Sequence, residues 1–112
     1  MADIKQLQSA ILAFRDARNW KQYHNPKDLA LSLSLEASEL LENFQWKTSE
    51  EAITEKAESI REEIADVAVY LLMLCDAVDV DLEQAIADKM EKNAVKYPVD
   101  KAFGKREKYT DL

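Results

Sequence analysis

The chain has 112 residues, with 15 Lys and Arg against 22 Asp and Glu, a net charge of −7, one Gly, two Pro and one Cys. This charge argues against a nucleic-acid polymer as a partner, because phosphate contacts require a basic surface. The scarcity of Gly and Pro, together with the many Ala, Leu, Glu and Lys residues, indicates an all-α protein.

The N-terminal half predicts two helices. Asp3 and Gln6 have the spacing of a capping box, and apolar residues at helical intervals predict a first helix that ends near Arg18. The Asn-Pro pair before "KDLALSLSL" is typical of a helix start and predicts a second helix from Pro26 to Gln45. "LALSLSL" alternates as a strand would, but no breaker separates it from "EASELLENF", so we predict helix throughout.

The C-terminal half predicts two more helices. Thr48 or Ser49 can cap a long third helix that ends near Asp79, and Asp81 caps a fourth helix that stops at Tyr97 and the following proline. We expect one domain over residues 1–112, a four-helix-bundle-like fold with a polar, irregular tail at 97–112.

The third helix is apolar nearly all round. Its main stripe contains Ile60, Ile64, Val67, Leu71, Leu74 and Val78. Val69, Leu72 and Met73 fall outside the stripe, which indicates burial on a second side. In so small a protein this predicts a subunit interface and therefore a homo-oligomer.

Two pairs of acids lie at or near the predicted buried faces. Glu36 falls within about 20° of the apolar stripe of the second helix and Glu39 at its flank, whereas Glu42 points to solvent. On the third helix Glu63 and Asp66 share one side. Buried anions would repel one another and become protonated unless a cation lay between them. Carboxylate oxygens suit a hard divalent ion, and we predict Mg²⁺.

The acids allow two other interpretations. They could be solvated side chains at the edge of a bundle. A di-iron bundle would require a Glu-x-x-His pair from each of two helices, and the only histidine, His24, lies in a connector. The sequence therefore disfavours di-iron.

Aromatic residues with polar edges lie close in sequence to the acids: Trp20, Tyr23, His24, Trp46 and Tyr70. Such side chains suit stacking against a nucleobase, although any one of them could instead anchor the core. On the fourth helix Lys89 and Asn93 share a face and could meet phosphate or sugar, or remain solvated.

The sequence resembles a known family. "LEASELLENFQWK" followed by "EEIADVAVYLL" resembles the Glu-x-x-Glu … Glu-x-x-Asp signature of MazG-like all-α nucleoside triphosphate pyrophosphohydrolases, especially the dCTP pyrophosphatase branch. "FRDARNWKQYHNPKDLALSL", "KMEKNAVKYP" and "KYTDL" extend the resemblance over nearly the whole chain. It implies Mg²⁺-dependent hydrolysis of (deoxy)nucleoside triphosphates, dCTP-like, to monophosphate and pyrophosphate.

The resemblance also assigns residues. It implies that Glu36, Glu39, Glu63 and Asp66 hold the metal, and we choose Glu36 to activate the water. The residues expected to bind substrate are Trp20, Lys21, Gln22, Tyr23, His24, Trp46, Tyr70, Lys89 and Asn93. It further implies a dimer of dimers with pockets shared between subunits. Ile11 stands where animal members carry a histidine.

Location and an alternative function complete the expectations. "MADIKQLQSAI" lacks the layout of a signal peptide, and "IADVAVYLLMLCDAV" is short for a membrane span and contains two Asp. With a lone cysteine, Cys75, we expect a cytoplasmic protein without a membrane partner. The alternative is a non-catalytic helical oligomerisation or nucleotide-sensing module, which would need the apolar stripes but not both acid pairs.

Overall fold

The computed structural model describes residues 2–112, and within this range all regular secondary structure is helical. The predicted all-α class is therefore confirmed. The chain divides into two compact units, which meet in sequence between Val80 and Asp81. The single domain predicted for residues 1–112 stays a prediction. Within residues 2–112 we find no helix that combines the length and the apolar character needed to cross a bilayer.

The first unit contains four α-helices and one short 3-10 helix. They are α1 at Ile4–Ala17, the 3-10 helix at Lys21–Tyr23, α2 at Pro26–Glu42, α3 at Ser49–Glu55 and α4 at Ala57–Ala77. The helical assignment of "LALSLSL" is confirmed. The second helix ends three residues before the predicted Gln45, and the chain continues there in turns.

The predicted caps form as hydrogen bonds. An Asp3 carboxylate oxygen accepts from the Gln6 N–H at 2.8 Å, and the Gln6 side chain accepts from the Asp3 N–H at 2.9 Å. At the start of α2 the Asn25 side chain accepts from the Asp28 N–H at 2.9 Å, and Pro26 occupies the first helical position. These contacts satisfy N–H groups that have no partner within the helix, so the starts of both helices are determined locally.

The prediction of one long third helix is wrong. Lys56 has φ −121° and ψ 22°, which interrupts the helix between α3 and α4. Neither Gly nor Pro marks this bend. α3 packs against α4 and its Ala52 is fully buried, an arrangement that a straight continuation of α4 would not allow. Tertiary packing therefore determines the bend.

The core lies mainly between α2 and α4, the most extensively packed pair of helices. Its buried apolar residues are Leu29, Ala52, Leu72, Met73 and Cys75. The predicted stripe of the third helix is only partly buried. Ile60, Val67, Leu71 and Leu74 are half-buried and Ile64 is 54% exposed, whereas Leu72 and Met73 outside the stripe are 7% and 4% exposed. Leu72 and Met73 are thus covered by their own chain and do not supply the free surface that was expected of them.

The second unit contains α5 at Leu82–Lys96, α6 at Val99–Ala102 and a 3-10 helix at Tyr109–Asp111. The Asp81 side chain accepts from the Gln84 N–H at 3.1 Å, as the predicted cap requires. The tail expected to be irregular contains two short helices. The Tyr97 and Tyr109 rings meet edge to face at 6.0 Å, and the Lys96 ammonium lies 4.9 Å from the centre of the Tyr109 ring. Through these contacts the tail packs against the end of α5.

Candidate functional site

Three glutamates meet where α2 packs against α4. Glu36 and Glu39 come from α2 and Glu63 from α4, and one carboxylate oxygen from each lies within 4.8 Å of the other two. Glu36 and Glu63 are half-buried, whereas Glu39 is exposed. Residues three apart on a helix lie on neighbouring positions of its surface, so a single helix pair can bring all three oxygens together.

The proximity of these acids changes their protonation. Burial, together with hydrogen bonds to the side chains of Glu39 and Glu63 and the nearby negative charges, raises the pKa of Glu36 to about 7. Burial and the charges of Glu39 and Asp66 also raise the pKa of Glu63. Each shift indicates that the ionised form lacks adequate compensation.

Cation binding would supply the missing compensation. Oε2 of Glu36 and Oε2 of Glu63 are buried and have no hydrogen-bond partner. Within the described chain, neither glutamate forms an ion pair with a Lys or Arg. Three carboxylates that offer oxygens to one point are a donor set suited to a hard divalent cation. The residues present therefore fit a metal ion.

Asp66, the fourth predicted ligand, lies one turn further along α4. It is exposed and is not among the three acids whose oxygens cluster, but its charge raises the pKa of both Glu36 and Glu63. Asp66 also lines the cleft described next. It therefore connects the acid cluster to a space large enough for a ligand.

An open cleft of about 480 Å³ runs beside Asp66. Its walls come from α1, α4 and the connector between α1 and α2: Leu7, Ala10, Ile11, Phe14, Trp20, His24, Asp66, Val69, Tyr70 and Met73. Among the predicted substrate-binding residues, Trp20, His24 and Tyr70 meet here. Pockets for small ligands have this character, mostly apolar with a few polar groups.

Two aromatic rings in contact form the connector end of the cleft. Phe14 and Trp20 meet edge to face at 5.8 Å, and the Arg18 guanidinium lies 3.5 Å from the centre of the Phe14 ring. His24 Nδ1 is buried without a hydrogen-bond partner. A polar ligand atom in the cleft could satisfy this nitrogen.

The remaining predicted binding residues lie elsewhere. Lys21, Gln22 and Tyr23 are exposed and do not line the cleft. Trp46, which also does not line it, is 93% exposed and has a left-handed backbone with φ 63°. The two remaining residues, Lys89 and Asn93, lie on α5 of the second unit.

Sequence reasoning missed part of the cleft. Leu7, Ile11 and Phe14 are apolar residues whose helical spacing predicted the first helix; all three line the cleft, and Leu7 and Phe14 are about half exposed. Apolar periodicity cannot distinguish a core face from the wall of an open cleft. Arg15 was also overlooked, although it lies one turn after Ile11 and is 6% exposed.

Comparison with known proteins identifies the family. A model of the MazG-like family matches residues 31–112. This chain belongs to the MazG-like family. The dCTP pyrophosphatase 1 of Bos taurus is 41% identical over 118 residues, which cover 100% of this chain and 68% of that protein. The Homo sapiens protein of the same name is 39% identical over 118 residues, covering 100% and 67%.

A solved structure agrees with this family. The crystal structure of a pyrophosphatase from Archaeoglobus fulgidus is 44% identical, with a TM-score of 0.81, and the match covers 88% of this chain and 94% of that one. The predicted family is confirmed, and so is the predicted class of enzyme, a nucleotide pyrophosphohydrolase. A purely non-catalytic module is accordingly disfavoured.

Proposed function

We propose that this MazG-like protein hydrolyses a deoxynucleoside triphosphate, dCTP or a close analogue, to the monophosphate and pyrophosphate with Mg²⁺. The observation that carries the proposal is the convergence of Glu36, Glu39 and Glu63 next to a cleft that Asp66 borders. The two mammalian relatives are named dCTP pyrophosphatases, which supports the choice of substrate.

The four acids would hold Mg²⁺, with Glu36, Glu39 and Glu63 as the central group and Asp66 facing the cleft. Bound Mg²⁺ would neutralise the triphosphate and make water a better nucleophile. Since Asp66 lies one turn after Glu63 on α4 and lines the cleft, a triphosphate at the acids could extend its nucleoside into the cleft. Mg²⁺ held by these acids would let so acidic a protein bind a polyanion.

Glu36 is our choice for the group that receives the proton of the attacking water. Its Oε2 is buried and has no hydrogen-bond partner, so this oxygen is available to the attacking water. The water oxygen would form a bond to the α-phosphorus while the bond to the bridging oxygen breaks, and pyrophosphate leaves with that electron pair. Glu39 and Glu63, whose oxygens lie within 4.8 Å of each other and of a Glu36 oxygen, would hold the ion beside it.

The cleft would hold the nucleoside. Trp20 and Tyr70 offer aromatic surface for a base, and Ile11 makes the α1 wall apolar at the point where animal members were expected to carry histidine. Binding roles for Lys21, Gln22, Tyr23, Trp46, Lys89 and Asn93 stay predictions, as does the cytoplasmic location. The preference for one nucleobase is the part of the proposal that depends most on the apolar α1 side of the cleft at Ile11.

Product analysis by phosphorus NMR tests the reaction. With Mg²⁺ and each common deoxynucleoside triphosphate in turn, we expect pyrophosphate and monophosphate, fastest with dCTP. Stepwise appearance of orthophosphate and diphosphate would overturn the proposed reaction. Nucleotide binding without any turnover would instead favour the nucleotide-sensing alternative.

Matched glutamate variants test the site. Replacing Glu63 with Gln removes a predicted metal ligand. We expect catalytic activity to fall at least as far as it does when a group that supports a metal ligand is removed, roughly 10- to 100-fold. Glu42→Gln on the exposed side of α2 is the control and should retain near-full activity. Equal losses in the two variants would show that the clustered acids are not the reactive site.

A further inference from the structure

The two walls of the cleft are held in the first unit in different ways. α4 packs along α2, and this pair carries all four predicted metal ligands, whereas α1 packs against α4 much less extensively. The α1 wall contributes Leu7, Ile11 and Phe14 to the cleft, so the position of α1 sets the space available to a ligand. An accessory means of holding α1 is therefore important for binding.

Among the described residues, polar contacts of Gln8 and Arg15 join α1 to α4. The Gln8 side-chain amide donates to the Leu72 carbonyl oxygen at 2.9 Å. Further along, the Arg15 guanidinium pairs with a carboxylate oxygen of Asp76 at 3.3 Å. Arg15 also contacts Asp16 at 2.8 Å, but Asp16 belongs to the same helix and adds nothing to the connection between helices. The Arg15 side chain is only 7% exposed, so its partners must satisfy it.

The backbone of Arg15 holds the aromatic end of the cleft. Its carbonyl oxygen accepts from the Trp20 N–H at 3.1 Å, and the next residue towards the N-terminus is Phe14. Phe14 and Trp20 pack edge to face and both line the cleft. A shift of Arg15 would therefore move both rings together.

We propose that Arg15 and Asp76 form a latch that fixes the α1 wall, with Arg15 as a positioning residue that sets the width of the cleft and the place of Trp20. The substrate in this inference rests on the proposed function. Because the acids lie on α2 and α4, weakening the latch should impair nucleotide binding while leaving the metal site and the chemical step intact. Arg15 would thus determine KM without touching the substrate.

The first test compares two isosteric variants of the same ion-pair group. Asp76→Asn weakens the contact between helices, and we expect KM for the preferred nucleotide to rise roughly three- to ten-fold. The kcat and the affinity for Mg²⁺ should stay within about two-fold of the wild type. Asp16→Asn weakens the shorter contact within α1 and should leave KM unchanged. Equal KM values in the wild type and the Asp76 variant, or equal rises in both variants, would overturn the latch.

Arg15→Lys provides a second variant should Asp76→Asn fail to fold. It keeps the positive charge but replaces the planar fork, which contacts Asp16 and Asp76 together, with a single ammonium group. We again expect a higher KM and an unchanged kcat. If kcat and Mg²⁺ affinity fall while KM rises, the variant is generally destabilised and the inference is overturned.

A second readout does not depend on the proposed reaction. In a Trp46→Phe background, Trp20 is the only tryptophan, and acrylamide quenching of its fluorescence reports its exposure. Asp76→Asn should increase quenching, whereas Asp16→Asn should not. If the wild type hydrolyses no nucleotide, the proposed function fails and this readout alone decides the latch. If it hydrolyses nucleotide, both the KM difference and the quenching difference are required.

Discussion

At the scale of single residues, Glu36 shows how a carboxylate can be placed on an apolar helix face. Its neighbours are acids, not basic partners, and its Oε2 is buried without a hydrogen-bond partner. In the absence of a cation, the least costly state of such a site shares a proton between Glu36 and its neighbours. Proton and metal should therefore compete for the same oxygens.

Stability of the metal-free protein should fall as pH rises. The pKa of Glu36 is 4.5 as a reference and about 7 in the fold, so its protonated form favours folding. That contribution is fully present below about pH 4.5 and is lost as pH rises through about 7. We expect the thermal midpoint of the metal-free wild type to decline over this range, and the midpoint of Glu36→Gln to decline less.

Added Mg²⁺ should reverse the trend, because its stabilising effect grows as the acids become ionised. Thermal melts with and without Mg²⁺ at several pH values provide the measurement. Glu42→Gln serves as the control and should follow the wild type, since its side chain is exposed. Parallel pH profiles for the wild type and Glu36→Gln would contradict the assigned protonation of Glu36.

At the scale of elements, the segment between α2 and α4 is held by local contacts. The Thr48 side chain accepts from the Glu51 N–H at 3.1 Å, and Glu51 accepts from the Thr48 N–H at 3.2 Å. Lys47 pairs with Glu55 at 2.6 Å, and this carboxylate raises the pKa of Lys47. The predicted cap at Thr48 or Ser49 is thus Thr48. A short helix such as α3 depends on such contacts because it has few hydrogen bonds of its own.

Replacing Thr48 with Ala should loosen α3. Removing an N-cap costs about 1 kcal/mol, and in so short a helix we expect the loss as local opening rather than global unfolding. Amide hydrogen exchange within α3 should accelerate about five-fold by the same energy, whereas exchange in α4 should change little. Ser49→Ala, one residue later, removes no cap and is the control. Similar acceleration in both variants would argue against the capping box.

At the scale of the whole molecule, apolar side chains remain on the surface of the first unit. The oligomer predicted from the sequence rests on Val69, Leu72 and Met73, but Leu72 and Met73 are buried within the chain and Val69 is half-buried. The exposed apolar residues include three on α2, Leu31, Leu35 and Leu41, which are each more than half exposed. Apolar surface of this kind is typical of an interaction site. We therefore still predict a homo-oligomer, a dimer of dimers, but now with the exposed leucines of α2 at the interface.

Sedimentation velocity tests the assembly. The chain mass is 12.8 kDa, and we expect the wild type at micromolar concentration to sediment as a larger species. Leu35→Asp should shift it towards the monomer, because burying an unpaired charge at an interface is costly. Val95→Asp on α5 is the control, because Val95 is an exposed apolar residue of the second unit, and it should not change the sedimentation. A monomeric, fully active wild type would contradict the oligomer.

The sequence alone determined the helical class, most helix ends and the acids at the site. Capping boxes and an Asn-Pro pair act within a few residues, so the starts of α1, α2 and α5 could be read locally. Glu36, Glu39 and Glu63 could be grouped because acids on an apolar face require an explanation, and their clustering in space is observed.

The tertiary structure decided the rest. It determined the bend at Lys56, the phase of the α4 core and the use of the α1 stripe as a cleft wall. Each depends on where another helix lies, and periodicity along one helix records only that a face is apolar, not what covers it. The Arg15–Asp76 contact belongs to the same class, because it joins residues 61 positions apart that only the packing of α1 on α4 brings together.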